Sequence, residues 1–313
     1  MSAVDTVGAL SGGPPPAPPG AATGGTPGPS AGAPTTRKPP LLSTRFLRSE
    51  LLLIYGRRRN WAGLAMLAVI PVIIAVVVKI WPPGGSDGDG PQFLNSITGN
   101  GLFVALTALT LELPLFLPLA VAAISSDTIA GEANLGTLRY LLTVPVSRTR
   151  MLAVKYAAIV IFAFSATLLV AATGALLGLA LFGGGPVVSL SGTTLSFGEM
   201  CLRLIAICSY LAIGLSALGA VGLLISSFTE QPIGGTIAVM VFTVLNFVLG
   251  SIPQIDWLHP YLLTHHWMAF GDLLRDPLTL TGSLRDGLLI AAAYIVIFWT
   301  AAWARFSGRD ITG

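Results

Sequence analysis

The sequence predicts an all-α membrane protein: six transmembrane helices behind an N-terminal interfacial helix, with both termini in the cytoplasm. Three observations point there. Over 313 residues, 53% are hydrophobic and only 10% are charged, with a mean hydropathy of +0.79, a balance that soluble domains of this size do not normally show. Six apolar runs are each long enough to cross a hydrocarbon core of ~30 Å, which takes about 20 helical residues. The lysines and arginines are concentrated in alternate loops, the distribution that sets the orientation of a polytopic chain.

Residues 1–40 contain ten prolines and eight glycines among Ala, Ser and Thr. Such a segment cannot bury enough apolar surface to offset its ordering entropy, so it reads as a disordered tail. It has neither a basic start nor an early apolar core; no cleavable signal peptide is predicted, and the first span serves as the insertion signal. Between residues 42 and 58 the pattern changes. Leu42, Phe46, Leu47, Leu51 and Ile54 recur at helical spacing, with Arg45, Arg48 and Glu50 between them. That suits a helix lying in the membrane interface, anchored by Arg57, Arg58 and Arg59.

The spans are placed near 61–81, 100–124, 152–182, 200–228, 232–251 and 284–304. The third and fourth exceed a simple crossing, which predicts tilt, extension into the cytosol or a break. Seven cations precede the first span, four lie in residues 125–155 and two at the C-terminus, against one, one and two around the alternate loops. Thirteen against four puts both termini and the loop at 125–151 in the cytoplasm, and the loop at 252–283 outside. That outer loop is rich in aromatics and too short of apolar sequence to span. Short interfacial or re-entrant helices packed on the outer face are expected there.

The net charge of +3 makes no basic face or stripe, so nucleic acid is not an expected partner. Cys201 and Cys208 fall seven apart in one apolar run, on one helical face and too far apart to bridge each other. They read as buried thiols. The three lysines are Lys38, Lys79 and Lys155, and none sits in a GxxxxGK[ST] pattern. The chain cannot build a phosphate-cradling loop by itself, and any ATP it uses is bound by another polypeptide.

Three further sets of residues call for a reading. Glu112 lies near the middle of the second span, in LELPLFLP, where an acidic residue costs ~3 kcal/mol to insert. Pro114 and Pro118 lack amide protons and free nearby carbonyls, so a kinked, partly hydrated helix facing a translocation path is one reading. A protonated or hydrogen-bonded structural Glu at a helix contact is the other. His259, His265 and His266, with Asp256 and Asp272, could in principle bind a metal or act as acid and base, but their spacing fits no HExxH pattern. They read instead as interfacial polar residues beside Trp257, Tyr261 and Trp267. Gly174 and Gly178, with Gly214, Ser216, Ala217, Gly219, Ala220 and Gly222, allow close helix approach.

The most informative stretch is SSDTIAGEANLGTLRYLLTVPVSRTRMLAVK, residues 125–155, four cations between two apolar runs. Leu135, Leu138, Leu141 and Leu142 can form one stripe of a short helix, which Pro145 stops before Ser147 caps the next. An amphipathic helix on a membrane stalk is a docking knob for a partner. Gly131-Glu132, Gly136-Thr137-Leu138, Tyr140-Leu141-Leu142, Pro145-Val146-Ser147-Arg148 and then Lys155 resemble the membrane permease subunit of a type-2 ABC transporter. The likeness extends over about 41–313; the loop motif is its sharp part, and the rest agrees in layout.

The resemblance implies an exporter in the cell inner (plasma) membrane. Two six-span permeases, identical or paralogous, work with two separate ATPase subunits, which bind the ATP and Mg while the permease holds no cofactor or metal and performs no bond chemistry. It also implies that a helix from about Ala130 to Leu142 seats in a groove of the ATPase. Glu132, Leu135, Leu138, Arg139, Leu141 and Leu142 would carry that coupling, with Arg148 and Arg150 near the start of the next helix. The alternative from a different class is a polytopic membrane enzyme working at the outer face through Glu112 or the histidine loop.

Overall fold

The computed structural model describes residues 44–81, 100–134, 147–185, 187–188, 194–275 and 281–308. Contacts divide the chain into residues 1–42 and 43–313, and everything described belongs to the second unit. The tail at 1–40 and the leucine stripe at 135–142 lie outside the described residues.

Eight α-helices carry the described fold: α1 Thr44–Gly56, α2 Arg58–Ile80, α3 Leu102–Glu112, α4 Phe116–Asn134, α5 Arg148–Phe182, α6 Phe197–Ser226, α7 Pro232–Gly250 and α8 Gly282–Ser307. A two-stranded antiparallel hairpin, β1 Val187–Val188 and β2 Thr194–Leu195, joins α5 to α6. Five helices (α2, α5, α6, α7 and α8) are each long and apolar enough to cross a membrane, and α3 with α4 makes a sixth span bent by 60°. This is the build of a multi-pass membrane protein.

Local chemistry sets the helix ends. Ser196 and Glu199 form a reciprocal capping box at the start of α6, Pro232 opens α7, and Thr281 Oγ1 accepts from the Leu284 amide to cap α8. Gly183, at φ +80°, closes α5, a conformation that a side chain would strain. Ser147 occupies the N-cap position of α5 as expected, but its side chain makes no capping hydrogen bond.

The bundle is organised around α6, which packs on α4, α5, α7 and α8. Its apolar window is 72% buried, whereas that of α8 is 17% buried, so α6 is the core and α8 borders the lipid. The small residues of α6 explain how. Gly222 meets Ser125 of α4, Gly219 meets Ile159 of α5, and Gly214 lies under the Trp267 indole. On the other side of α5, Gly178 packs backbone against backbone on Gly101, and Gly174 on Ala105 at the start of α3. The small-residue stripes are therefore intramolecular packing surfaces, the first use expected of them.

The third and fourth spans are unbroken: α5 is a continuous 35-residue helix and α6 a continuous 30-residue one. At 1.5 Å per residue these run to about 52 and 45 Å, so of the three expected ways to accommodate their length a break is ruled out. Two sequence expectations are corrected. The second span, read as one run over 100–124, breaks at residues 113–115 and then continues helically to Asn134. The helix expected over 42–58 is Thr44–Gly56, ending at Arg57, whose extended backbone (φ −83°, ψ 123°) separates it from α2.

The loop expected to lie outside forms two 3₁₀ segments, Pro253–Tyr261 and Trp267–Leu274, short helices packed on the bundle. Trp267, Phe270, Leu273 and Leu274 are buried. Polar side chains hold the backbone down: Arg203 Nη1 donates to the carbonyls of Leu273 and Arg275 (3.3 and 2.7 Å), the Tyr210 hydroxyl to that of His266 (2.6 Å), and the Leu263 amide to Asn246 Oδ1 (3.1 Å).

Candidate functional site at the foot of the second span

The foot of α4, from Ser125 to Asn134, is gripped by four other helices. On one side is Lys155, about two turns inside α5 and 2% exposed. A lysine so deep in an apolar helix must find counter-charge, and it finds two. Its Nζ lies 2.6 Å from Glu132 Oε1 on α4 and 3.3 Å from both carboxylate oxygens of Glu50 on α1, and donates as well to the Thr128 carbonyl at 3.2 Å. Glu50 is 6% exposed, so this is a buried ion triad rather than a surface pair.

Asp127, on the same turn of α4, takes the other cations. Arg57 Nη1 donates to its Oδ2, and Arg59 Nη2 lies 3.1 Å from the same oxygen. The arginines expected to anchor an interfacial helix to lipid phosphates thus behave differently: Arg57 and Arg59 are paired to the second span. Three cations face three carboxylates around a small cleft, whose lining includes Glu50, Arg57, Asn60, Asp127, Glu132 and Lys155.

On the opposite side of α4, Ser226 at the end of α6 completes the grip. Its Oγ donates to the Ser126 carbonyl (2.7 Å) and accepts from the amides of Ile129 and Ala130 (3.1 and 2.9 Å). All of this is buried, so Ser226→Ala removes three buried hydrogen bonds that supplement the ladder of α4 itself. At about 0.5–1.5 kcal/mol net for a hydrogen bond, the variant is expected to lose about 1–2 kcal/mol, read as a lower thermal midpoint of the purified protein in detergent.

The same end of the bundle is laced further. The Tyr55 hydroxyl of α1 bonds Ser165 of α5, Arg148 at the start of α5 donates to the carbonyls of Phe306 and Ser307 at the end of α8, and Trp303 Nε1 donates to Thr149 Oγ1 at 2.8 Å. At this end α1, α2, α4, α5, α6 and α8 are each cross-linked by charge or hydrogen bond to a neighbour.

Of the coupling residues named from sequence, Glu132 stands within this cluster. Leu135, Leu138, Arg139, Leu141 and Leu142 lie outside the described residues. The helix expected to start near Ala130 does not start there, because Ala130–Asn134 is the last part of α4. Sequence reasoning missed Asp127, Glu50 and Ser226 as partners. A signal was available for Glu50: a lysine embedded in a spanning run needs an acid, and the acids near that end of the spans are few.

Glu112, the other singled-out residue, ends α3 at the break and is 0% exposed, and neither carboxyl oxygen has a hydrogen-bond partner among the described residues. Towards the other end of the bundle the three imidazoles cluster, with ring centroids 5.6 Å apart for the tilted pair His259 and His265 and 5.0 Å for the edge-to-face pair His265 and His266. Their nitrogens serve the backbone. His259 Nε2 donates to the carbonyls of Leu249 and Ile252, its Nδ1 pairs with Asp256 at 3.1 Å, and His266 Nε2 donates to the Pro260 carbonyl. Among the described residues no trio of His, Cys, Asp or Glu is grouped to hold a metal ion.

A family model described as a protein of unknown function, DUF2705, matches residues 68–312. The chain belongs to the DUF2705 family. No curated protein matches it. The part of this DUF2705 chain that matches spans most of α2 through the end of α8, and so includes Glu112, Asp127, Glu132, Lys155 and Ser226. Their partners Glu50, Arg57 and Arg59 lie before the matched region.

Proposed function

We propose that this DUF2705 protein is the permease subunit of an ATP-driven exporter in the inner (plasma) membrane, with both termini cytoplasmic, working beside a second copy or a paralogue. Two separate ATPase subunits supply nucleotide binding and hydrolysis. The observation that carries the reading is the grip on the foot of α4. The chain segment that follows Asn134, at 135–146, is the proposed docking knob, and the helix end it follows is tied to α1, α5 and α6 at once.

The mechanism follows from that attachment. A partner that closes on ATP binds two membrane conformations with different affinity, and only that difference can do work on the spans. Force on the knob enters α4. Lys155 passes it to α5, Ser226 to α6, and Asp127 through Arg57 and Arg59 to the junction of α1 and α2. Because these attachments are ion pairs and hydrogen bonds without slack, the feet of the helices move together. The break at 113–115 lets the inner half of the second span swing while α3 stays packed on α5 through Gly101 and Gly178. Glu112, at that break, borders the proposed translocation path.

The test is a pull-down of the tagged chain from its native membrane, with mass spectrometry of what accompanies it and an ATPase assay of the eluate. A Walker-motif subunit should co-purify with the wild type. Leu138→Asp puts an unpaired charge into the proposed groove and is expected to reduce the accompanying ATPase at least tenfold, while the permease itself still elutes as a single peak in detergent. A wild-type chain that purifies repeatedly without an ATPase, or a Leu138→Asp chain that keeps it, overturns the reading.

A further inference from the structure

Glu112 has no role in the ion cluster and no partner, which is unusual for a buried acid. It terminates α3 directly before the 60° break, and both of its oxygens are enclosed without a hydrogen bond among the described residues. At 0% exposure there is no room for even a water molecule beside it. The charged groups of the helices packed against α3 and α4 sit towards their ends: Arg58, Arg59 and Lys79 on α2, then Arg148, Arg150 and Lys155 on α5. On α6 they are Glu199 and Arg203; α7 has none, and α4 itself adds Asp127 and Glu132 at its foot. The remaining titratable groups on those faces are the hydroxyls of Tyr156 and Tyr210 and the thiols of Cys201 and Cys208. None of these pairs with Glu112.

A carboxylate enclosed in this way has nothing to replace its hydration, whereas the neutral acid can be enclosed at far less cost. The backbone beside it is prepared to yield. Pro114 and Pro118 offer no amide, so the carbonyls of Thr110 and Pro114 have no helical donor four residues on; within the turn the Leu115 amide reaches the Glu112 carbonyl at 3.3 Å, and at its edges the Leu113 amide bonds the Leu109 carbonyl and the Leu119 amide the Leu115 carbonyl. Opening that turn to water sacrifices little helix.

From these features we infer that Glu112 is a proton-binding site, and that gain or loss of its proton sets the bend of the second span. The closed, bent geometry holds the protonated acid. Loss of the proton draws water to the carboxylate, and water can reach it only if the packing around residues 113–115 opens. A proton is the ligand because the enclosed site admits nothing larger. The inference requires that α3 and α4 cross the membrane and does not depend on an ATPase partner, so it stands or falls separately from the exporter reading.

The experiment uses the full chain reconstituted in lipid vesicles, with Cys201 and Cys208 replaced by Ser and spin labels at Leu111→Cys and Leu119→Cys, both lipid-exposed positions flanking the break. Dipolar broadening should change as pH is raised. In parallel, infrared difference spectra of the unlabelled chain should lose the band of a carboxyl group in an apolar setting. In Glu112→Gln, which keeps shape without a titratable proton, the label separation is expected to stay at the acid-form value at every pH, and that infrared band is expected to be missing. Two results overturn the inference: a label separation that does not change with pH in the labelled chain that keeps Glu112, or a titrating band that survives in Glu112→Gln.

Discussion

Lys155→Met is expected to be the most damaging single substitution in the described fold, lowering stability by about 3–5 kcal/mol. The side chain it replaces is 2% exposed and stands between Glu50 and Glu132. Methionine fills similar volume, so the loss is electrostatic: two carboxylates face each other in a buried site without the cation that held both, and the Thr128 carbonyl loses its donor. Breaking a buried ion group from one side costs more than removing it whole, because what remains is an uncompensated charge. The triple variant Glu50→Gln, Glu132→Gln, Lys155→Met should therefore recover most of the deficit. Thermal unfolding of the three proteins in one detergent decides the matter. If Lys155→Met unfolds where the wild type does, the cluster is hydrated and cannot transmit force between α1, α4 and α5.

Gly178→Leu should cost about 3 kcal/mol or more, the upper end for overpacking. Any Cβ at residue 178 falls on the Gly101 carbonyl, and a Cβ at residue 101 would fall on the Gly178 carbonyl. Most crowded cores relax by turning a side chain into another rotamer. Here both neighbours are backbone, so α3 and α5 would have to separate along the contact that Gly174 and Ala105 continue, and the Gly101 amide bond to the Gly183 carbonyl at 3.0 Å would go with it. Gly63→Leu makes the matched control. No atom lies near that position, and the new side chain enters lipid. The expectation is a lower thermal midpoint and a broadened elution profile for Gly178→Leu alone; equal behaviour of the two variants would mean that the close approach is not a feature of the folded protein.

Much of this architecture could be read from residue order. The spans were legible because a hydrocarbon core demands long apolar runs whatever the tertiary packing, and all six expected runs coincide with helices or, for the second, with a bent pair. The break in that span was legible as a kink because proline removes an amide wherever it stands. The small residues of α6 announced close packing, since in lipid only small side chains let helices meet.

Partnership was not legible. Glu50, Asp127, Glu132, Lys155 and Ser226 are separated by up to 176 positions between the first and last, and periodicity along a helix says which face a residue is on, not which helix lies opposite. Arg57 and Arg59 looked like lipid anchors because a cation near an interface satisfies a phosphate and a carboxylate equally well. Sequence could not choose between them; packing chose Asp127. The length of α5 and α6 was ambiguous for a similar reason, since tilt, breakage and extension all fit one hydrophobic run, and the choice falls to what the ends can bond to.

The sequence by itself determined the class of this protein and the place of its spans, because transfer of apolar side chains out of water is a local property that sums along the chain. Tertiary structure alone decided that the foot of the second span is the point where four other helices converge, and that Glu112 is left without a partner among the described residues. Those facts depend on which groups meet across space, where a few ångströms separate a satisfied charge from an orphaned one.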